Sequence, residues 1–350
     1  MIYIKDTYAT KTGELWDCGL SDLLKEVIAN IDTSQVDAVY VGNMLGGVLN
    51  EQLNLGAKVA TIIGRNLPVV RVEAACASGG VAVNQAWQAL KAGFYSNVLV
   101  IGVEKMTDFS NEEVARALAM AADNTTEFNN GVTFPALHAL VAQAYLNKYN
   151  LAPAVLDAVS VRSHQKAFAD DKAQFHKKIT EDDVRASAMV TSPLKLYHCS
   201  PISDGAAAIV LSTEQTDLEL AASVTLASRE FALADRSDLT SFAVVQEAVA
   251  KLDLSELEIV EVHDCFVIAE IIALEDLGIM RKGQGWQEPE HVKVNVRGGL
   301  KAGGHAIGAT GVKQMVTLAE EMRTHQYQLG LAHNVGGVGA QVALNLIKKR

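Results

Sequence analysis

Short runs of consecutive apolar residues alternate along the chain with longer stretches whose apolar positions recur every three or four residues. Runs of the first kind predict buried strands, and stretches of the second kind predict amphipathic helices. Towards the N-terminus, Asp37–Gly42, Leu67–Val72 and Asn97–Val103 read as strands, with helices at Leu53–Ile63 and Val81–Lys91. Towards the C-terminus the order recurs, with strands at Leu257–Val262 and Val292–Val296 and helices at Val267–Leu277 and Gly311–Arg323. A strand pair between Leu329 and Ile347 closes the chain. This alternation predicts an α/β protein with parallel or mixed sheet covered on both faces. Two such units in tandem predict a pseudo-twofold molecule whose active site lies where the strand C-terminal ends of both halves meet.

Residues 109–200 break the rhythm. They show few strand signals, helical patterns at Glu112–Ala121 and Pro135–Tyr149, and a charged stretch from Lys166 to Asp183. The chain returns to the core at Ser203-Asp204-Gly205 and the apolar strand that runs on to Leu211. The expected organisation is therefore 1–108 plus 201–218 as the N-terminal half, 109–200 as an inserted loop domain, and 219–350 as the C-terminal half. The insertion gathers Lys166, Lys172, Lys177 and Lys178 with His164 and His176. The plain reading is a solvated charged surface. The sharper one is a patch that attracts the phosphates of an anionic cofactor tail.

With 350 residues, 49% of them hydrophobic and 20% charged, the chain can bury a large core. Its net charge of −11 argues against nucleic acid as a partner, so an anionic substrate would need a local basic patch. The cysteines Cys18, Cys76, Cys199 and Cys265 form no C-x-x-C pair, so neither a zinc knuckle nor a dithiol redox motif is indicated. The start Met1-Ile2-Tyr3-Ile4-Lys5-Asp6 lacks signal-peptide character, and no apolar run nears the ~20 residues that span a bilayer. These features lead to the expectation of a cytoplasmic protein in a reducing compartment.

Three glycine-rich segments carry the candidate chemistry. Cys76 follows a strand and opens Cys76-Ala77-Ser78-Gly79-Gly80, which runs into a helix. Helix N-termini favour anions, which predicts a lowered thiol pKa and a larger thiolate fraction. The small residues are read as letting backbone approach a substrate closely. His305 lies in Gly303-Gly304-His305-Ala306-Ile307-Gly308-Ala309-Thr310-Gly311, where it could take the thiol proton. His263 and Cys265 are separated by one residue and could point into one pocket. The imidazole would hold a developing oxyanion there, and the thiol would serve as acid or base if tuned towards neutrality. Each also has a plain reading: a structural histidine or a buried thiol. His333-Asn334-Val335-Gly336-Gly337-Val338-Gly339 could form an anion-binding nest or a close-packed strand start. No glycine run fits a Walker A loop or a dinucleotide fingerprint in the right strand–helix context.

Taken together these segments resemble the thiolase family over nearly the whole chain. Val72-Glu73-Ala74-Ala75-Cys76-Ala77-Ser78-Gly79-Gly80 is similar to the family's nucleophile loop, and Ser203–Ala208 to its return from the loop domain. Gly303–Gly311 resembles G-G-H-P-x-G-A-T-G, with Ala306 in place of the proline. His263-Asp264-Cys265-Phe266 resembles the H-D-C-F of sterol-carrier-protein-type and archaeal acetoacetyl-CoA thiolases, where most thiolases carry N-E-A-F. Gly13-Glu14-Leu15-Trp16-Asp17 also resembles the archaeal type. Against the family the chain starts late, so a curtailed first strand is expected.

The resemblance implies the thiolase fold: duplicated βαβαβαββ halves in five layers, αβαβα, with an inserted loop domain, assembled as a homodimer or homotetramer. It implies an acetyl-CoA C-acetyltransferase that condenses two acetyl-CoA to acetoacetyl-CoA and CoA. Cys76 would be the nucleophile, His305 its activator, Cys265 the acid/base and His263 the stabiliser of the enolate. Backbone N–H groups of Cys76 and of the Val335–Gly337 turn would hold the tetrahedral oxyanion. Coenzyme A thioesters enter as substrates, with no permanent cofactor and no metal. The implied partners are a hydroxymethylglutaryl-CoA synthase and a small zinc-ribbon bridging protein, at the start of mevalonate synthesis. Alternatives are a 3-ketoacyl-CoA thiolase of broader chain length, a related ketosynthase or hydroxymethylglutaryl-CoA synthase, and a degenerate scaffold subunit. The H-D-C-F and G-G-H segments argue against the synthases, and Cys76 argues against a related retro-aldolase. Thr240 and Ser241 lie in a polar loop where thiolases often touch pantetheine.

Overall fold

The computed structural model describes residues 1–350. The N-terminal half runs β1 (Tyr3–Ala9), α1 (Leu20–Ala29), β2 (Ala38–Gly42), α2 (Leu55–Ile63), β3 (Val69–Val72), α3 (Ser78–Lys91) and β4 (Asn97–Glu104). An excursion follows, made of α4 (Asn111–Ala119), α5 (Phe134–Tyr149), α6 (Ala154–Ala167), α7 (Glu181–Ala186) and the hairpin β5 (Met189–Thr191) and β6 (Leu194–Lys195). The chain re-enters as β7 (Gly205–Ser212). It then repeats itself as β8 (Leu218–Ala227), α8 (Ala243–Val249), β9 (Ile259–Glu261), α9 (Val267–Asp276), β10 (Lys293–Val294), α10 (Gly299–Gly303), α11 (Ile307–His325), β11 (Leu329–Gly336) and β12 (Gln341–Lys349).

The duplication is explicit in the strand order. One half of the sheet reads β3-β2-β4-β7-β1 and the other β10-β9-β11-β12-β8, joined edge to edge where Tyr3 meets Glu219. In each half the first three strands of the order are parallel, and the strand that follows them is antiparallel. Helices α3 and α11 therefore hold equivalent places, each between an edge strand and the central strand of its half.

Burial explains the layering. α3 buries Ala82, Val83, Ala86 and Leu90, and α11 buries Val312, Met315, Val316 and Met322, in one core with residues of β4, β7, β9 and β11 from both halves. These two helices are the middle layer. α1 and α2 cover the outer face of the first half through Leu23, Val27, Leu55 and Val59. α8 and α9 cover the second through Val245, Ile268, Ile271 and Ile272. The five layers αβαβα expected from the resemblance are present.

Two expectations change. The first strand is not curtailed: β1 pairs with β7 from Tyr3↔Ser212 to Ala9↔Ala207. The charged stretch from Lys166 also hides a helix end. α6 was not legible as a helix because its buried face carries Asp157, Ser160, Ser163 and His164 beside Leu156 and Val159, which blunts the apolar periodicity. No helix is long and apolar enough to cross a membrane.

Candidate active site

The turns after β3, β9 and β10 and the end of β11 converge between the two halves. Cys76 enters on a strained turn, since Ala75 before it holds a left-handed φ of 49°. The turn is tied by Ser78, whose hydroxyl donates to Ala75 O at 2.6 Å and accepts from Ala74 N at 2.9 Å. α3 begins two residues later, so Cys76 stands just ahead of the helix. His305 stands just ahead of α11, the equivalent helix of the other half.

The glycines around these residues serve a purpose other than the one expected. A Cβ on Gly79 would lie 2.8 Å from Gly308 O, and one on Gly311 would overlap Gly80 N and Asn334 Oδ1. They let the backbones of α3 and α11 touch at their N-termini, rather than letting backbone approach a substrate. Because the helix starts are in contact, the residues just ahead of them meet. The sulfur of Cys76 and one ring nitrogen each of His263 and His305 lie within 4.8 Å of one another. The two imidazoles pack edge to face, with centroids 5.1 Å apart.

Hydrogen bonds assign the two tautomers. His305 Nδ1 is 2.7 Å from the Thr310 hydroxyl, which itself donates to Ala306 O at 3.1 Å. Nδ1 must therefore be the N–H donor, leaving Nε2 as a bare acceptor. For His263 the logic reverses. Asn334 Oδ1 accepts from Gly80 N at 3.1 Å, so its NH2 faces the other way. That group donates to Cys76 O at 3.0 Å and to His263 Nδ1 at 3.2 Å. His263 Nδ1 is thus an acceptor, and Nε2 carries the proton. Both Nε2 atoms are buried and have no protein partner. One can take a proton and the other can give a hydrogen bond. A nitrogen that carries its proton is a donor, so the cluster is not a ready metal-ligand set.

Burial dominates the electrostatics. It pushes the Cys76 thiol up to about 12, against the opposing N–H groups of Gly337 and Cys76 itself. The expected lowering of this pKa is thus corrected for the resting protein: desolvation outweighs the helix end, and Glu104 adds a repulsive charge. Burial pushes His305 down to about 3 and His263 well below its usual value. Cys265 is likewise pushed well above the usual thiol range by burial, not tuned towards neutrality. It still shares the cavity with Cys76 and His305, while His263 sits deeper, 1% exposed.

That cavity has a volume of about 460 Å³. Met106, Leu118, Phe134, Phe175 and Ile307 make most of its wall apolar. Its supports are buried ion pairs. Asp264 accepts from Leu300 N at 2.7 Å and pairs with Lys301 at 2.9 Å, which tethers the His263 turn to the segment before His305. Lys301 also pairs with Glu270 at 2.8 Å. Asp204 accepts from Lys105 Nζ, Met106 N and Thr107 N, and the Ser203 hydroxyl accepts His305 N–H at 2.8 Å. Ser203 and Thr310 hold this loop at the place where Ala306 stands instead of proline.

Sequence reasoning missed Asn334, Thr310 and Glu104. Asn334 was seen only as part of a glycine-rich nest. Glu104, fully buried, accepts from Asn43 Nδ2, Met44 N, Leu45 N and Gly308 N, and burial pushes it up to about 7. The lysine-rich stretch is divided between engaged and exposed side chains, with His176, Lys177 and Lys178 at the surface. Lys166 binds Val294 O and Glu288, Lys172 and Lys178 lie over the rings of Tyr8 and Phe168, and His164 is buried against Phe175 and Tyr197. Thr240 and Ser241 are engaged with Asp238 and Asp276.

Comparison with known proteins agrees with this architecture. Residues 4–215 match the family described as Thiolase, N-terminal domain, and residues 230–348 match Thiolase, C-terminal domain. The chain is 38% identical to an acetyl-CoA acetyltransferase of Methanothermobacter thermautotrophicus over 374 aligned positions, covering 97% of each. It is 30% identical to the benzoylsuccinyl-CoA thiolase subunit BbsB of Thauera aromatica, covering 84% of this chain and 80% of that one. Human mitochondrial 3-ketoacyl-CoA thiolase superposes with a TM-score of 0.80 at 16% identity, covering 100% of this chain and 99% of the other.

Proposed function

The chain belongs to the thiolase family of acyltransferases, and within it we propose an acetyl-CoA C-acetyltransferase that makes acetoacetyl-CoA and CoA from two acetyl-CoA. The observation that carries this reading is Cys76 set against two imidazoles of opposite tautomer. His305 Nε2 takes the thiol proton as Cys76 Sγ attacks the thioester carbon. Because the resting thiol is neutral, attack and proton transfer go together. The N–H groups of Cys76 and Gly337, which face Sγ, hold the tetrahedral oxyanion, and CoA leaves with a proton. A second acetyl-CoA places its thioester oxygen at His263 Nε2–H. Cys265, once it has given up its own proton, removes an α-proton as the thiolate, and the enolate carbon attacks the acetyl group on Cys76, releasing that sulfur.

The finer assignments belong to the same reading. We place the work in the cytoplasm, where four free cysteines persist, and at the start of mevalonate synthesis, with a hydroxymethylglutaryl-CoA synthase and a zinc-ribbon protein as partners. A homodimer or homotetramer is supported by β3, an edge strand whose outer side is unpaired and whose Val70 is exposed, as are Val48 and Leu53 of the same half. The domain division 1–108 with 201–218, 109–200 and 219–350 is retained. A second reading, a thiolase of longer acyl chains, is favoured by the mainly apolar wall of a cavity of about 460 Å³.

The test is thiolysis: acetoacetyl-CoA and CoA are supplied and acetyl-CoA is followed. Turnover is expected, and Cys76→Ala should abolish it while leaving the fold and assembly intact. Unchanged transfer in that variant would overturn the role of Cys76. A set of longer 3-ketoacyl-CoA substrates decides between the two readings by their relative kcat/KM.

A further inference from the structure

Cys265 has a neighbour that the mechanism above leaves unused. His138, on α5 of the excursion, places Nε2 3.9 Å from Cys265 Sγ. The ring is 1% exposed and is fixed in both orientation and tautomer. Its Nδ1 lies 3.0 Å from Phe134 O, which can only accept, so Nδ1 carries the proton and Nε2 presents a lone pair to the thiol. Its face stacks on Phe266, the next residue after Cys265, with centroids 4.1 Å apart and planes 23° from parallel. The loop that bears the thiol thus also grips the ring.

We propose that His138 is a positioning residue that takes the Cys265 thiol proton, so that Cys265 and His138 form a second Cys–His pair across the cavity from Cys76 and His305. This deepens the thiolase reading and rests on it. The proton passes from Sγ to Nε2, leaving a thiolate beside an imidazolium. The thiolate then takes the α-proton, and the carbon's electron pair forms the new C–C bond as the acetyl–Cys76 bond breaks. The resting pair is neutral, and internal proton transfer turns it into one thiolate and one imidazolium before the α-proton is taken. The site ends with Cys265 protonated, His138 still charged and Cys76 a thiolate, so net charge is conserved.

The alternative to such a pair is a lone buried thiol, which burial holds well above the usual range and which would be a poor source of thiolate at neutral pH. Burial also lowers His138 to about 4, with Arg236 nearby adding to the effect, so the resting pair is neutral. The charged groups bearing on the ring are Arg236 and, once ionised, Cys265 itself; its other titratable neighbour is the neutral His263. Contact between opposite charges in a low-dielectric site offsets part of the cost of forming them.

The experiment compares the full-length parent with His138→Phe and His138→Gln. Three readouts are taken: mass-detected acetylation of Cys76, deuterium uptake into the methyl group of acetyl-CoA in D2O, and the pH profile of that uptake. Both variants should still acetylate Cys76. Deuterium uptake should fall by about 10²-fold, the usual scale of a lost proton acceptor. The parent's uptake rate should be nearly flat across neutral pH, whereas that of His138→Phe should climb about tenfold per pH unit, as expected when a free thiolate must form by itself. Gln fills the site and accepts a hydrogen bond but holds no proton, so its failure to rescue separates proton transfer from packing. Uptake and profile within about twofold of the parent in either folded variant would overturn the proposal. A parent that neither acetylates Cys76 nor turns over would instead overturn the thiolase reading.

Discussion

The turn after β3 and the turn after β10 occupy the same place in the two halves, yet one carries a thiol and the other an imidazole. The same holds one strand inward. β2 ends at Gly42 and runs into Asn43, whose side chain is spent on Val103 O and Glu104. β9 ends at Glu261 and runs into His263, whose buried Nε2 has no protein partner and lies near Cys76 and His305. The fold thus offers paired positions at a common seam, and the two halves fill them with different chemistry. The first half supplies the thiol of Cys76 and a buried carboxyl, Glu104, that ties the turn after β2 to Gly308 at the start of α11. The second supplies both imidazoles and the second thiol.

That asymmetry is open to test. The largest effect should come from the imidazole opposite Cys76: His305→Ala should lower turnover by about 10²- to 10⁴-fold, the range for a lost general base. Retention of the parent rate would leave the thiol activated by something else. Asn334→Asp is the sharper probe. It keeps the acceptor for Gly80 N–H but removes the amide donor, so His263 Nδ1 would become the protonated nitrogen and Nε2 would lose its hydrogen. Condensation should fall by about 10²- to 10³-fold, as for a missing oxyanion donor, while Cys76 acetylation persists. Equal loss of both steps would assign Asn334 to the Cys76 turn alone.

The seam itself is probed by Gly311→Ala. The added methyl overlaps Gly80 and Asn334, and overpacking of this kind costs about 3 kcal/mol, read as a lower urea midpoint. Undiminished stability would show that the helices can part.

The smallest effect concerns the carboxyl at the end of β9. Burial raises Glu261 to about 8 and lowers His138, His305 and His333 to about 4, 3 and 3. The raised carboxyl contributes stability that is fully present below its unfolded pKa near 4.5 and is lost as pH rises through about 8. The histidines do the opposite: unfolded chains gain protons below about 6.5, so stability falls on acidification. Between about pH 7 and pH 5 the two trends oppose each other. Glu261→Gln removes the carboxyl's share and should make the acid loss steeper by about 2 kcal/mol, measured by unfolding at both pH values. An unchanged slope would mean that Glu261 is ionised in the folded protein.

Much of this was legible in the sequence. The strands β2 and β4 are buried on both faces and so appear as near-continuous apolar runs, whereas the edge strands β3 and β10 are partly exposed and β9 carries a buried glutamate, and these three were legible through their valines and isoleucines. Their tandem recurrence indicated the duplication and the seam. β8 was missed because Leu218–Ala227 mixes alanine, serine and threonine with few large apolar residues. α1 escaped notice although Leu20, Leu23, Leu24, Val27 and Ile28 mark its buried face. Cys76 and His305 stood out through their glycine-rich surroundings, and His263 and Cys265 through their one-residue spacing after a strand, but the reason for the glycines did not. Close approach to a ligand and close approach to another helix leave the same trace in a sequence, and only the fold distinguishes them. Asn334 and His138 meet His263 and Cys265 across long separations, and Thr310 meets His305 from one helix turn away; single residues of that kind carry no local pattern.

The contact between the starts of α3 and α11 also bears on the order in which the protein is made. Gly80 meets Asn334 across 254 residues, and Asn334 lies on β11, the last strand but one. Through synthesis of the first half, the excursion and most of the second half, Cys76 has no imidazole beside it and no strand to define its turn. A nascent chain therefore leaves this thiol without its imidazoles until the end of translation. Acyl transfer begins only once the C-terminal strands have docked, and activity is therefore a measure of completed folding.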